Sequence, residues 1–195
     1  MHPHLPKLEL MLQPALTAAE RGVAELHATL EALPAPIYTT DASGVVTFFN
    51  AACIAFSGRQ PEVGKDKWCV TWKLYTESGE FLPHDECPMA VALAAARPVR
   101  GVTAVAERPD GVRVTFVPLP TPILDGSGQL IGAANLLLDI TEVRQIADLR
   151  SQAQRARRLL AGLSDPVSIN ALTSMSEDYE AKARDLEATM SLALP

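Results

Sequence analysis

No run of apolar residues in this 195-residue chain approaches the roughly 18 that a membrane-spanning helix needs. Positive charge is also short. Lys and Arg number 17 against 23 Asp and Glu, giving a net charge of -6 and a pI near 5.2. That balance argues against a broad phosphate-binding surface, so no nucleic-acid partner is expected. The three cysteines, Cys53, Cys69 and Cys87, are odd in number and do not form a disulfide framework. The first residues, Met1-His2-Pro3-His4, have neither the basic nor the apolar stretch of a signal peptide. The expectation is a cytoplasmic protein with reduced thiols and no membrane partner. Catalytic signatures are missing as well. There is no Gly-x-Ser-x-Gly elbow, no Gly-rich phosphate loop followed by Lys-Ser or Lys-Thr, and no His-Glu-x-x-His, so the chain is not expected to be an enzyme.

What is present is 48% hydrophobic sequence, enough for one domain with helical flanks. Residues 1–33 read as an irregular lead-in followed by an amphipathic helix. Leu16, Ala19, Val23, Leu26, Leu30 and Leu33 recur at steps of three and four until Pro34 and Pro36 stop the pattern. Two β-type runs follow, Ile37 to Thr40 and Val45 to Phe49, with a hairpin turn at Asp41-Ala42-Ser43-Gly44. Asn50 is placed to cap a short helix, Ala51 to Phe56. Lys65 to Cys87 reads as irregular, and Pro88 to Arg97 as a helix with proline in its first turn. Strands are expected at Val99 to Glu107, Val112 to Leu119 and Leu130 to Leu138, separated by Pro109-Asp110-Gly111 and Asp125-Gly126-Ser127-Gly128. The last strand is apolar on both faces. Some other element must therefore cover the outer face of its sheet, and the N-terminal helix is the nearest candidate. After Thr141 a heptad runs through Ile146, Leu149, Ala153, Ala156, Leu160 and Leu163. Ser164-Asp165-Pro166 breaks it and starts a final amphipathic helix.

The phrase Leu33-Pro34-Ala35-Pro36-Ile37, then Thr40-Asp41-Ala42-Ser43-Gly44 and Phe49-Asn50, resembles the opening of a PAS domain. Arg108-Pro109-Asp110-Gly111 is similar to that family's turn between its third and fourth strands, and Asp139-Ile140-Thr141 to its C-terminal junction. The resemblance covers residues 34–141. It implies an α+β fold, a five-stranded antiparallel sheet with helices on one face, flanked by N- and C-terminal amphipathic helices. Residues 1–33, 142–163 and 164–195 are then the lead-in with its helix, a signal or coiled-coil helix, and a C-terminal amphipathic helix. The resemblance further implies a sensor or adaptor whose signal leaves the sheet through Asp139, Ile140 and Thr141, with Asp139 paired to a cation and Thr141 capping the helix.

Members of this superfamily hold haem, flavin, small metabolites or nothing, so the ligand must be sought in the residues. Cys69 falls where flavin-binding members carry their reactive cysteine, but Gly64-Lys65-Asp66-Lys67-Trp68-Cys69-Val70 differs around it. A small buried thiol is the simpler reading. The helix at Met89 to Ala96 lacks the histidine of oxygen-sensing haem members. His84 and Cys87, the latter followed by Pro88, could hold haem or a transition metal, but no second pair of soft ligands completes the set. Trp68, Trp72, Tyr75, Phe81 and Phe116 either line a ligand pocket on the sheet or fill its core. Asn135, polar within an apolar strand, needs a buried partner or a ligand group. The helix after Thr141 has no phospho-acceptor histidine.

Three functions follow as expectations. The first is a homodimeric sensor or adaptor, joined through Leu26, Leu30 and Leu33 of the first helix and through Ile146 and Leu149, with a separate effector as a further partner. The second is a constitutive scaffold with an empty core. The third is a haem- or metal-dependent redox sensor.

Overall fold

The computed structural model describes residues 23–193 in backbone and 27–191 in side chain. The expected lead-in, Leu16, Ala19 and the side chain of Leu26 lie outside that range. The chain divides into two compact units, 1–139 and 140–195.

In the first unit the elements are α1 (Val23–Glu31), β1 (Ile37–Asp41), β2 (Val46–Phe49), α2 (Ala51–Ser57), β3 (Lys73–Thr76), a single 3-10 turn at His84–Glu86, α3 (Pro88–Ala95), β4 (Ala104–Glu107), β5 (Arg113–Leu124) and β6 (Leu130–Asp139). The six strands form one antiparallel sheet in the order β2-β1-β6-β5-β4-β3. The expected strand count of five is therefore corrected to six. The added strand, β3, lies in the stretch read as irregular and pairs Lys73 to Thr76 with Glu107 to Ala104.

Both faces of the sheet are covered. On the inner face Tyr38, Val114, Phe116, Ala133 and Leu137 pack against Cys53 and Phe56 of α2 and Met89, Ala90 and Leu93 of α3. On the outer face Leu30 of α1 packs with Ile37, Leu119 and Leu136, flanked by Leu33, Phe48, Val117 and Leu138. His27 stacks on Phe48 with ring centroids 4.5 Å apart. The doubly apolar β6 strand thus has its cover in the N-terminal helix, while α2 and α3 pack on the inner face. Leu30, expected at a dimer seam, is 1% exposed because its own sheet buries it. Leu33 is half-buried against the same cluster. Neither is available as an open seam.

β5 contains Pro118 and runs five residues beyond the expected end at Leu119, through Pro120 and Pro122. Alternate residues of a strand direct their N–H and C=O to opposite sides. Pro118 and its two followers fall on the side where β4 has already ended, so no ladder N–H is needed there. The Pro120 carbonyl on that side accepts a 2.8 Å bond from Arg100 Nη1. Three prolines and an arginine blunt an edge that could otherwise recruit another strand.

The turns follow their residues. Asp41 Oδ1 accepts from Ser43 N, Ser43 Oγ and Val45 N. Asp125 Oδ1 accepts from Ser127 Oγ, Ser127 N and Gln129 N in the same arrangement. The Ser127 hydroxyl first, then these backbone N–H groups, hold the Asp125 carboxyl below its ordinary range. A depressed folded-state pKa contributes stability above the unfolded value of about 3.9 and loses it as pH falls through the folded value. Asp125→Asn is accordingly expected to flatten the acid limb of a pH–stability curve below about pH 4. Urea midpoints taken from pH 2 to 7 check this, and an acid limb unchanged in the variant would refute it.

The second unit holds α4 (Thr141–Leu160) and α5 (Pro166–Ala193), packed antiparallel as a hairpin. Ala153 and Ala156 of α4 and Ser176 and Ala183 of α5 are buried. Their small side chains allow close approach, and Ser176 Oγ donates to the Ala153 carbonyl at 3.2 Å. Arg150 pairs with Glu187 at 2.8 Å and Arg157 with Glu180 at 3.3 Å. The heptad expected to meet a second chain therefore meets α5 over these alanines. Ile146 is buried and Leu149 half-buried in the single chain. No described helix is long and apolar enough to cross a membrane.

Candidate functional site

Tyr38 and Asn135 stand directly opposite each other on β1 and β6, which places both side chains on the inner face. Asn135 Oδ1 accepts from the backbone N–H of Leu119 at 2.9 Å, and its Nδ2 donates to the Tyr38 hydroxyl at 3.0 Å. Tyr38 is left to donate outward, and its hydroxyl bonds the Trp68 carbonyl at 2.7 Å. The result is a directed chain from β5 through β6 and β1 to the loop carrying Trp68. Asn135 thus meets its desolvation with two protein partners.

Trp68 sits at φ 61°, in the left-handed region that bulky residues avoid. Cys69 N donates to the Lys67 carbonyl at 2.7 Å, closing a γ-turn of the rarer positive-φ kind around Trp68. That conformation turns the Trp68 carbonyl toward Tyr38. The turn is held from outside by a 2.7 Å bond from Trp68 N to the Gly44 carbonyl and by the Lys67 ammonium, 4.9 Å from the indole ring. Gly44 is required here. At φ 87° it tolerates the left-handed region, and a Cβ would fall 2.5 Å from the indole.

Around this relay lie the thiols and His84. Cys87 Sγ approaches the Trp68 carbonyl at 3.8 Å, Cys69 Sγ lies 3.1 Å from Thr71 Oγ1, and Thr71 Oγ1 lies 3.4 Å from His84 Nε2. Cys53 Sγ donates to the Ile37 carbonyl at 3.3 Å. Burial pushes the Cys53 and Cys87 thiols up to about 12 and also raises Cys69 and Tyr38. Burial, then the nearby Arg59 guanidinium, lowers His84. At neutral pH the cluster is uncharged, and its thiols are far from the thiolate form that attacks electrophiles or binds metals. Among the described residues no three or more His, Cys, Asp or Glu side chains converge as a metal-binding group. Thr40 Oγ1 is a buried side-chain oxygen without a hydrogen-bond partner.

The aromatic candidates separate. Trp68 is half-buried at the relay, and Phe116 is buried, edge-on to Phe56 at 5.2 Å. Trp72 and Phe81 are corrected to surface positions, 53% and 62% exposed. Both lie beside β3, an edge strand with one neighbouring strand to pack against. Tyr75 is half-buried, with Phe81 edge-on at 5.9 Å and the Arg113 guanidinium 4.4 Å from its ring. These three do not join the inner-face relay. At the junction β6 ends at Asp139 and the N-cap of α4 is Ile140, with no side-chain cap bond. Thr141 is the first helical residue, so the expected cap is displaced by one position. Tyr38, the hub of the relay, was not among the sequence candidates. Its signal was a tyrosine within a run of buried strand residues, where the hydroxyl must find a partner.

The family model described as PAS fold matches residues 30–145. No curated protein matches the sequence. Similar solved structures include a LOV protein of Rhodobacter sphaeroides, at 11% identity over 83% of this chain and 94% of that one, with a TM-score of 0.47. The LOV domain of the Erythrobacter litoralis EL346 blue-light activated histidine kinase is similar at 19% identity over 55% of this chain and 97% of that one, TM-score 0.43. An RNA-binding light-oxygen-voltage receptor is similar at 20% identity and TM-score 0.46 over 60% of this chain, which spans only 33% of that receptor. With more than half of its length matched by the family model, and an antiparallel sheet in the strand order given above, the chain belongs to the PAS-fold family.

Proposed function

We propose that the protein is a PAS-type signal sensor or adaptor, working as a homodimer, that couples binding of a small ligand or partner at the sheet to the helices after β6. One observation carries this reading: the directed hydrogen-bond chain from the Trp68 carbonyl through Tyr38 and Asn135 to the backbone of β5. Its acceptor end is a backbone carbonyl held in a high-energy conformation. A neutral ligand oxygen that took its place as Tyr38's acceptor would release the turn. Asn135 would then shift within β6, four residues before the strand ends at Asp139. The buried thiols, Tyr38 and His84 that line the relay are uncharged, which favours a neutral ligand at the Tyr38 hydroxyl.

Native mass spectrometry of the purified full chain tests the reading. The expected result is an added mass of fixed value that is reduced at least tenfold in Tyr38→Phe, with the variant still folded by circular dichroism. A chain of bare mass, or an adduct indifferent to Tyr38→Phe, overturns it.

A second reading, a constitutive scaffold with an empty core, is favoured by the saturation of the relay within the chain itself. Every polar atom of Asn135 and the donor of Tyr38 already has a protein partner. The bare-mass outcome supports that reading. A haem or metal role for His84 and Cys87 has the least support, given the burial-raised thiol and its approach to the Trp68 carbonyl.

A further inference from the structure

The turn that joins α4 to α5 is both apolar and exposed. Leu159, Leu163 and Val167, all within one short stretch of chain, are 62%, 40% and 75% exposed. They belong to the last turn of α4, the linker and the first turn of α5, so they stand around the end of the hairpin rather than along one stripe of it. Gly162 N donates to the Leu159 carbonyl at 3.3 Å and Leu163 N to the Leu160 carbonyl at 3.2 Å, which gives the crest of the turn internal backbone partners.

Charge around this tip has one sign. From Leu149 to Ser176 the chain holds four arginines and a single acid, Asp165, in a protein whose net charge is -6. Asp165 is engaged by its own helix, where its Oδ2 accepts from Ser168 N at 2.9 Å. Arg150 and Arg157 pair with Glu187 and Glu180. Arg155 and Arg158 are exposed and have no acidic partner among the described residues. At about 1.5 Å per residue, Arg158 and Arg155 lie about 3 and 8 Å back from the end of α4. At about 100° per residue, Arg155, Arg157 and Arg158 leave the helix in three directions, all away from the buried Ala156. An apolar crest is thus backed by a ring of cations.

We infer that this tip docks on an anionic lipid surface. A bilayer presents the same two media as layers, hydrocarbon beneath a plane of phosphate. With the hairpin end-on, Leu159, Leu163 and Val167 enter the headgroup–acyl boundary, about 5–10 Å deep, while Arg155 and Arg158 stay level with the phosphates. A protein groove would have to be apolar at its floor and acidic around its whole rim. A flat anionic layer meets both demands at any rotation about the hairpin axis. The expectation of no membrane partner rested on the lack of a spanning segment, and a surface-seated tip needs none. The inference goes beyond the sensor reading and does not depend on it.

Flotation of the full chain with vesicles of phosphatidylserine and phosphatidylcholine in equal amounts tests it. The wild type is expected to float with these vesicles, to stay behind with phosphatidylcholine alone, and to be released by added salt. Val167→Asp is expected to weaken binding about tenfold by trading apolar burial for a carboxylate. That substitution spares the fold, because an acid in the first turn of α5 suits the helix dipole. Arg155→Gln combined with Arg158→Gln is expected to cost about fivefold for each charge removed. Leu124→Ser, which removes an exposed apolar side chain of the sheet, is expected to leave binding unchanged. A wild type that ignores the mixed vesicles overturns the inference, as does binding that survives both tip variants or that Leu124→Ser weakens equally. Sedimentation velocity reads the rival occupant. Self-association lost in Val167→Asp, with no flotation, assigns the tip to a second copy and overturns the lipid surface.

Discussion

Gly132→Ala is expected to destabilise the domain by about 3 kcal/mol, at the upper end of the usual cost of overpacking a core. A Cβ at Gly132 would lie 2.2 Å from the Thr40 carbonyl oxygen and 3.3 Å from its carbonyl carbon. The obstacle is backbone, so no rotamer change relieves it. Gly132 faces Asp41 on β1 and Ile123 on β5, so it has a neighbouring strand on each side. Moving β6 away from β1 would strain the Thr40–Ala133 rung and then press on β5. Gly132 is not among the positive-φ residues, so alanine can adopt its backbone conformation. The small gain from restricting the unfolded chain, about 0.4–1 kcal/mol, offsets only part of the clash. Gly126→Ala is the control, because a Cβ there meets nothing within 4 Å. Urea unfolding of the two variants measures the difference. A Gly132→Ala midpoint equal to that of Gly126→Ala would show that the strands separate at no cost.

Where the chain's patterns are local, the sequence and the structure agree closely. The turn at Asp41-Ala42-Ser43-Gly44 needs an acceptor side chain and a glycine, and both sit where they act. The unbroken apolar run in β6 announced a covered outer face, and α1 covers it. β3 was hidden because four residues, Lys73-Leu74-Tyr75-Thr76, are too few to show a period, and their partner β4 begins 28 positions after β3 ends. The far half of β5 was hidden because proline usually ends a strand. Only the sheet order reveals that these prolines face an edge. The relay was half legible. Asn135 advertised an unmet need in an apolar strand, but which atoms meet it depends on β1 lying beside β6, nearly 100 residues away in sequence. Trp72 and Phe81 were misplaced for the same reason, since composition does not reveal which strand lies at the rim.

Asn50 shows how far a local rule can mislead, and its removal is expected to cost the most. It occupies the N-cap position of α2, as the sequence predicts, yet makes no side-chain cap bond. Its Oδ1 instead accepts from Ile37 N at 3.1 Å, across 13 residues. Its Nδ2 faces the carbonyls of Leu30, Leu33 and Ala35 at 3.3, 3.2 and 2.9 Å. One fully buried amide therefore ties the end of α1, the Pro34–Pro36 linker and the start of β1 to the entry of α2. Asn50→Ala strands the Ile37 N–H and removes the donor to three carbonyls. At about 1–3 kcal/mol for each buried group left unsatisfied, a total loss on the order of 4 kcal/mol is expected. Asn50→Asp separates hydrogen bonding from packing, because it keeps the shape and the acceptor but loses the amide donor. Its carboxyl can bond the carbonyls only when protonated, so its folded pKa must rise above the unfolded value of about 3.9. Below that value both states are protonated and the variant approaches wild-type stability. As pH climbs through and beyond it, the unfolded chain releases a proton that the folded chain retains, and stability falls. Urea midpoints at pH 3 and pH 7 should thus diverge for Asn50→Asp relative to wild type, while the deficit of Asn50→Ala stays nearly constant. Equal deficits for Asn50→Asp at both pH values would mean that the three carbonyls do not depend on this amide, and that α1 is held to the sheet by Leu30 and its apolar neighbours alone.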